Sequence, residues 1–164
     1  MFVAIIAITI VLALIYADWS NWRKYHATML VFTTGNLFYN FVYHDHLLWR
    51  FRPQITNHHI MEIIYSFTVF PLTALMFLSN FPQGLLRQIR YVAMYVLIYF
   101  GAEFLLFKLH RIGYSYGWNI WWSLAWNVMM FPCFILHHKK PELAYIFVFA
   151  LMFVMNWLFP YTLK

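Results

Sequence analysis

Six long hydrophobic runs alternate with short polar stretches along the 164-residue chain. Each run has about 16–20 residues, close to the roughly 17–25 that a helix needs to cross the hydrocarbon of a bilayer. None shows the period-two alternation of a strand, and an isolated segment in lipid satisfies its backbone only as a helix. The pattern predicts an all-α, polytopic transmembrane helical bundle forming one domain over residues 1–164. Spans are predicted at residues 2–17, 27–43, 59–78, 91–107, 118–136 and 143–159.

The runs are joined by short connections, so consecutive helices are predicted to be antiparallel neighbours. The first run has no charged leader or small-residue cleavage site, and we interpret it as a membrane segment rather than a signal peptide. Five spans is the alternative, if the first or last run lies along the interface. Pro71 and Pro132 fall inside runs and are expected to kink their helices. Tryptophans cluster near the run ends, as headgroup-level anchors do: Trp19, Trp22, Trp49, Trp118, Trp121, Trp122 and Trp157.

Composition agrees with a lipid environment. Hydrophobic residues make up 64% of the chain and charged residues 10%, against about 45–50% and about 25% in soluble domains. The net charge is +6, but the basic residues come as pairs between apolar runs, which favours contact with lipid headgroups over nucleic acid. Six Lys and Arg on one face against five on the other do not decide the orientation. The single cysteine, Cys133, excludes an intrachain disulfide.

Two carboxylates lie inside predicted spans, where ionisable groups are costly and often mark function. Glu62 lies about one turn inside the third span, and Glu103 about one turn before the end of the fourth. Because these spans run in opposite directions, both carboxylates are predicted near one membrane face. Five of the eight histidines fall on the same face.

Polar residues recur four apart on four consecutive helices, and this spacing places each set on one helical stripe. The stripes are Asn36–Asn40–His44, His58–Glu62–Ser66, Tyr91–Tyr95–Tyr99–Glu103 and Asn119–Ser123–Asn127. We predict a polar pocket open to one face. Polar side chains also hold membrane helices together, at roughly 0.6 kcal/mol per hydrogen bond, and this alternative stays open. The pocket residues are Asn36, Asn40, His44, His58, His59, Glu62, Tyr95, Tyr99, Glu103 and Asn119.

Three chemistries would suit such a pocket. The first is a metal site, since imidazole and carboxylate suit zinc and other first-row metals, although the sequence has no HExxH motif. The second is ion, proton or small-solute transport through a pocket containing Glu62 and Glu103. The third is a membrane-embedded lipid-modifying enzyme with Glu62 or His58 as general base, although no GxSxG or phosphate loop is present. The candidate metal ligands are His44, His46, His58, His59 and Glu62.

Our first interpretation is a non-catalytic sensor, scaffold or subunit of a membrane assembly. It requires no cofactor. The lack of HExxH, GxSxG and phosphate-loop motifs makes an enzyme less favoured without excluding one. The partners expected are the lipid bilayer and either another membrane protein or further copies of this chain.

Three stretches carry a family resemblance: NLFYNFVYHDHLLWRF, NHHIMEIIYSFTVFPLTALMFL and AEFLLFKLHRIGYSYGWNIWWSLAWNVMMF. Together they resemble a functionally uncharacterised family of small multi-pass membrane proteins from Bacillus- and Clostridium-like, spore-forming bacteria. The likeness runs from about Trp19 to near Asn156. It implies a bacterial cytoplasmic membrane location and supplies no catalytic residues.

Overall fold

The computed structural model describes residues 1–54 and 56–160, and most of them are helical. A 3-10 helix, Trp19–Lys24, joins the first two α-helices, and two three-residue strands lie in later connections. The helical prediction is therefore confirmed. In chain order the other elements are α1 (Phe2–Tyr16), α2 (His26–Val42), β1 (Trp49–Phe51), α3 (His58–Phe67), α4 (Val69–Ser79), α5 (Leu85–Lys108), β2 (Ile112–Tyr114), α6 (Ile120–Lys139) and α7 (Pro141–Leu158).

Four helical segments are long and apolar enough to cross a membrane. They are α3 with α4 as one segment, α5, α6 and α7. The helices α1 and α2 have 15 and 17 residues and are shorter. The structure thus indicates a membrane protein with four candidate spans, and spans by α1 and α2 stay a prediction.

The two internal prolines behave differently. The break between α3 and α4 falls at Thr68, whose φ of −121° and ψ of −70° are not helical. It lies three residues before Pro71, which has no N–H to donate to the carbonyl of Phe67 four residues earlier. By contrast, α6 continues through Pro132 as one helix. The expected kink at Pro132 therefore does not interrupt its helix.

The central helix is α4, which packs against α1 and α2, while α5 packs on α6 and α6 on α7. Its side chains Ala74, Leu75 and Phe77 are completely buried. Phe77 meets Phe131 and Phe134 of α6 at ring-centroid distances of 5.1 and 5.8 Å. Aromatic packing around α4 therefore holds the middle of the bundle together.

The two ends of the bundle can be told apart by their contacts. Near one end, Phe2 packs on Phe51, and Phe159 packs on Trp118. Both described chain ends therefore lie at the end that carries β1 and β2, which we call the sheet face. At the other end, the opposite face, Asn80 Nδ2 donates to the Tyr16 carbonyl at 2.7 Å. The chain therefore runs up and down, but α1 packs against α4 and not closely against α2, so these two consecutive helices are not the neighbours that their short connection predicts.

Strands β1 and β2 form an antiparallel pair, here called the loop sheet, which joins two connections that are far apart in sequence. Backbone bonds extend the pairing on both sides, from the Arg52 N–H to the Arg111 carbonyl at 2.7 Å and from the Ser115 N–H to the Leu48 carbonyl at 2.8 Å. The hydropathy pattern does not predict this sheet. Its pairs are Trp49 with Tyr114, Arg50 with Gly113 and Phe51 with Ile112.

Candidate functional site

Glu62 is the most deeply buried carboxylate described, with a relative exposure of 2%. It lies in α3, which begins after Asn57, whose side-chain Oδ1 accepts from the Ile60 N–H at 2.9 Å. Two amides on α2, four residues apart, donate to its Oε2: Asn36 Nδ2 at 2.8 Å and Asn40 Nδ2 at 3.2 Å. The predicted stripes of α2 and α3 therefore face each other, with the carboxylate between them.

Hydroxyl groups extend this contact one turn further along α3. Asn36 Nδ2 also donates to Ser66 Oγ at 2.9 Å, and Ser66 Oγ donates to the Glu62 carbonyl at 2.7 Å. Thr33 Oγ1 of α2 donates to the Ser66 carbonyl at 2.7 Å. The set Thr33, Asn36, Asn40, Glu62 and Ser66 thus links α2 to α3 by bonds between helices, and we call it the Glu62 cluster.

His58 connects the Glu62 cluster to the loop sheet. Its Nδ1 accepts from the Phe51 N–H of β1 at 3.1 Å, and the same atom lies 3.8 Å from Glu62 Oε1. An unprotonated Nδ1 can accept from Phe51 but cannot donate to a carboxylate. A protonated Nδ1 can pair with Glu62 but can no longer accept from Phe51. The two contacts of this nitrogen are therefore alternatives set by its proton.

Several buried polar atoms around the Glu62 cluster have no hydrogen-bond partner among the described residues. They are Glu62 Oε1, Asn40 Oδ1, His58 Nε2 and the Tyr65 hydroxyl. Buried polar atoms left without partners are rare and costly, so such a concentration needs an explanation. A carboxylate oxygen and an amide oxygen are both acceptors, and a proton at Glu62 would supply a donor to this set.

Glu103 lies in a second polar group, between α5, β2 and α6. Tyr114 of β2 donates from its hydroxyl to Glu103 Oε1 at 3.0 Å. Burial, and to a smaller extent the Glu103 carboxylate, raises the pKa of the Tyr114 hydroxyl, which therefore stays a donor. The spacing along α5 would also allow an ion pair with Lys108, but the Lys108 amine lies over the Phe104 ring, 5.4 Å from its centroid.

The remaining predicted pocket residues have separate roles. Tyr99 donates to Thr73 Oγ1 at 2.6 Å, and Tyr95 packs on Phe77 in the aromatic core. Asn119 caps α6, its Oδ1 accepting from the backbone N–H groups of residues 121 and 122 at 2.9 and 3.3 Å. The structure thus brings together Asn36, Asn40, His58 and Glu62, and places Tyr95, Tyr99, Glu103 and Asn119 in other contacts.

The candidate metal ligands do not converge. His44 Nε2 pairs with Asp45 Oδ2 at 2.8 Å, where both side chains are exposed, and the His46 ring stacks on Tyr116. The His59 ring lies 5.3 Å from that of His58. Across residues 1–54 and 56–160, no group of three or more His, Cys, Asp or Glu side chains is placed to hold a metal ion. The metal hypothesis therefore gains no geometric support.

Sequence reasoning missed two contacts of the histidines. One is the bond between His58 and the Phe51 backbone, which depends on the loop sheet. The other lies toward the opposite face, where His137 Nδ1 and Thr28 Oγ1 are 2.9 Å apart and buried. Threonine on an apolar helix was the only signal for the second contact, and a local backbone bond would explain that threonine equally well.

Comparison with known proteins adds nothing to this geometry, since no family model, curated protein or solved structure matches the chain. The resemblance to the family from spore-forming bacteria therefore stays a prediction. Any functional conclusion depends on the site itself.

Proposed function

We propose that this chain is a non-catalytic membrane sensor or assembly subunit, embedded by six helical segments in a bacterial cytoplasmic membrane, that responds to protonation of the His58–Glu62 pair. The observation that carries the proposal is the position of His58 Nδ1, 3.1 Å from the Phe51 amide and 3.8 Å from Glu62 Oε1. A proton on this nitrogen exchanges a bond to the loop sheet for an ion pair inside the bundle. The response to protonation is therefore a weaker attachment of the loop sheet to α3.

Other charged or titratable groups surround the pair from each element packed on it. Tyr39 of α2 and Tyr65 of α3 interact electrostatically with Glu62, while Arg50 of β1 and His59 of α3 act on His58. Nearby positive charge disfavours a proton on an imidazole, and a carboxylate favours it. Glu62 is the acid beside His58, so its charge state controls whether the pair forms.

A sensor needs an element that responds to the titrating group, and the loop sheet fits that requirement. It joins the second and fourth connections, so a change at Phe51 reaches β2 through their pairing. Tyr114 of β2 is bonded to Glu103 of α5. The loop sheet therefore links the Glu62 cluster to α5 and offers a surface that a membrane partner or another copy of the chain could contact.

Hydrogen–deuterium exchange of the Phe51 amide tests the proposal. Between about pH 8 and pH 4, a window that allows for the burial of His58 and the nearby charge of Arg50, we expect the protection factor of the Phe51 amide to fall about tenfold as the bond to His58 is lost. Glu62→Gln and His58→Gln should each remove this transition. Glu62→Gln keeps the shape of the side chain and an oxygen that can accept from Asn36 and Asn40, so the variant should remain folded.

The exposed pair His44 and Asp45 provides the matched control, because it also joins a histidine to a carboxylate but has no link to β1. His44→Gln should leave the transition of the Phe51 amide unchanged. A protection factor of the Phe51 amide that does not change with pH in the native chain would overturn the proposal. A transition that persists in both Glu62→Gln and His58→Gln would do the same.

Proton or ion transport is a second candidate, favoured by the loop sheet that connects the elements around Glu62 and Glu103. It predicts a flux in proteoliposomes that is lost in both Glu62→Gln and Glu103→Gln. A sensor predicts no flux together with an intact response of the Phe51 amide. The two measurements on the same preparation therefore separate the candidates.

A further inference from the structure

A groove of about 740 Å³ lies between α6 and α7, and no residue of the Glu62 cluster lines it. Residues four apart on each helix form its walls, which is the spacing of one helical face. Pro132 and Cys133 are small side chains in the middle of the wall, so the two helices leave space between them. The main lining residues are Val128, Pro132, Cys133 and Leu136 of α6 with Leu143 and Phe147 of α7.

The groove is apolar along its length, and two lysine side chains border one end of it with their aliphatic stems. Lys139 and Lys140 complete its lining, at the turn where α6 ends and α7 begins. The Lys139 amine lies 6.0 Å from the centroid of the Phe81 ring. Within residues 1–54 and 56–160, neither lysine forms an ion pair with a carboxylate. Two cations without carboxylate partners among the described residues therefore lie at the opposite-face end of the apolar groove.

We propose that this groove is a binding site for an anionic phospholipid, with one acyl chain between α6 and α7 and the phosphate at Lys139 and Lys140. The groove and such a lipid have the same sequence of apolar and charged parts along one axis. An acyl chain matches the apolar walls, and lysines at the membrane surface attract anionic headgroups. The helix α7 that forms one wall also exposes large apolar side chains, such as Ile146 and Phe153, as expected for a helix in contact with lipid.

The site is independent of the proposed proton response, because the Glu62 cluster contains no residue of α6 or α7. It gives a distinct task to the pair of lysines, whose position between apolar runs predicts only a general contact with headgroups. The proposal commits to a specific lipid position, so variants in the groove and at its charged end can test it separately.

The test is native mass spectrometry of the full chain in detergent, titrated with phosphatidylglycerol or with phosphatidylcholine. We expect the Lys139→Gln, Lys140→Gln double variant to weaken phosphatidylglycerol binding about tenfold. Arg87→Gln with Arg90→Gln is the matched control, since it removes two charges near the same face without touching the groove. Phosphatidylcholine binding should change little in either variant.

A second pair of variants tests the apolar part. Val128→Trp should fill the groove and lower binding of phosphatidylglycerol, whereas Ile146→Trp, on a side of α7 that does not line it, should not. Equal losses from the lysine and arginine pairs would overturn the proposal, because binding would then reflect net charge alone. Unchanged binding in Val128→Trp, with the groove filled, would also overturn it.

Discussion

Burying a polar side chain of the Glu62 cluster costs free energy, and its hydrogen-bond partners determine how much. A buried carboxylate is tolerated only when donors replace its lost water, and Asn36 and Asn40 provide those donors. Asn36 also donates to Ser66, so its amide satisfies two acceptors on α3. Removing it leaves both without that donor. The stability of the contact between α2 and α3 should therefore be sensitive to this one residue.

Replacing Asn36 with leucine should lower the free energy of unfolding by about 2 kcal/mol, the cost of losing a hydrogen bond to a charged group. Thr34→Val is the control on the same helix, because the Thr34 side chain is exposed and its hydroxyl bonds only to carbonyls of α2. We expect a change within about 0.5 kcal/mol there. Denaturation in mixed micelles gives both values. Equal changes in the two variants would contradict the role assigned to Asn36.

The same scale shows what helical spacing could predict. Positions four apart placed Asn36 and Asn40 on one stripe, and His58, Glu62 and Ser66 on another, and the structure brings these stripes together. Spacing could not reveal that His58 accepts from the backbone of Phe51, since that partner belongs to a strand formed by distant pairing. Nor could it separate Asn119, which lies on a stripe but caps a helix.

Among the elements, the loop sheet is the part of the fold that hydropathy could not predict. Three-residue strands have no detectable period, and their pairing joins positions about sixty residues apart. The turn after β2 has a clearer signal in Gly117, whose φ of 83° lies in the left-handed region. This conformation directs the chain from the sheet into α6. Other residues adopt it only with strain.

Gly117→Ala should therefore destabilise the protein by about 1 kcal/mol. The same substitution at Gly35, inside α2, should stabilise it by up to about 1 kcal/mol, because a Cβ there meets no other atom within 4 Å and alanine favours a helix. Thermal unfolding of the two variants compares one chemical change in two backbone conformations. Changes of the same sign in both would contradict the assignment of the turn.

At the scale of the whole molecule, the contacts at its two ends favour the prediction that six helical segments cross the bilayer. The start of α2 meets the end of α6 through Thr28 and His137, while its last turns reach Glu62 near the sheet face. With 17 residues, α2 is about 25 Å long at 1.5 Å per residue, somewhat short of a hydrocarbon core of about 30 Å. We therefore predict that α2 crosses beside the longer helices it packs against, although its own length falls short of the hydrocarbon core.

This arrangement predicts the sidedness of the connections. In a Cys133→Ser background, single cysteines ahead of Met1 and at Asp45 should react with a membrane-impermeant maleimide from one side of sealed vesicles. Cysteines at Asn21 and Gln83 should react only from the other side. This pattern follows from six spans, in which α1, α2 and the α3–α4 segment would each carry the chain from one face to the other.

Each departure from that labelling pattern has a specific structural meaning. If α1 lay along the interface, the cysteine ahead of Met1 would react from the same side as Asn21, and the bundle would have five spans. If α2 failed to cross, Asn21 and Asp45 would react together. The second outcome would also remove the Glu62 cluster from the bilayer, since Asn36 and Asn40 reach the carboxylate only when α2 lies beside α3. The topology of α2 and the burial of Glu62 are therefore one prediction, and labelling at Asn21 and Asp45 tests both.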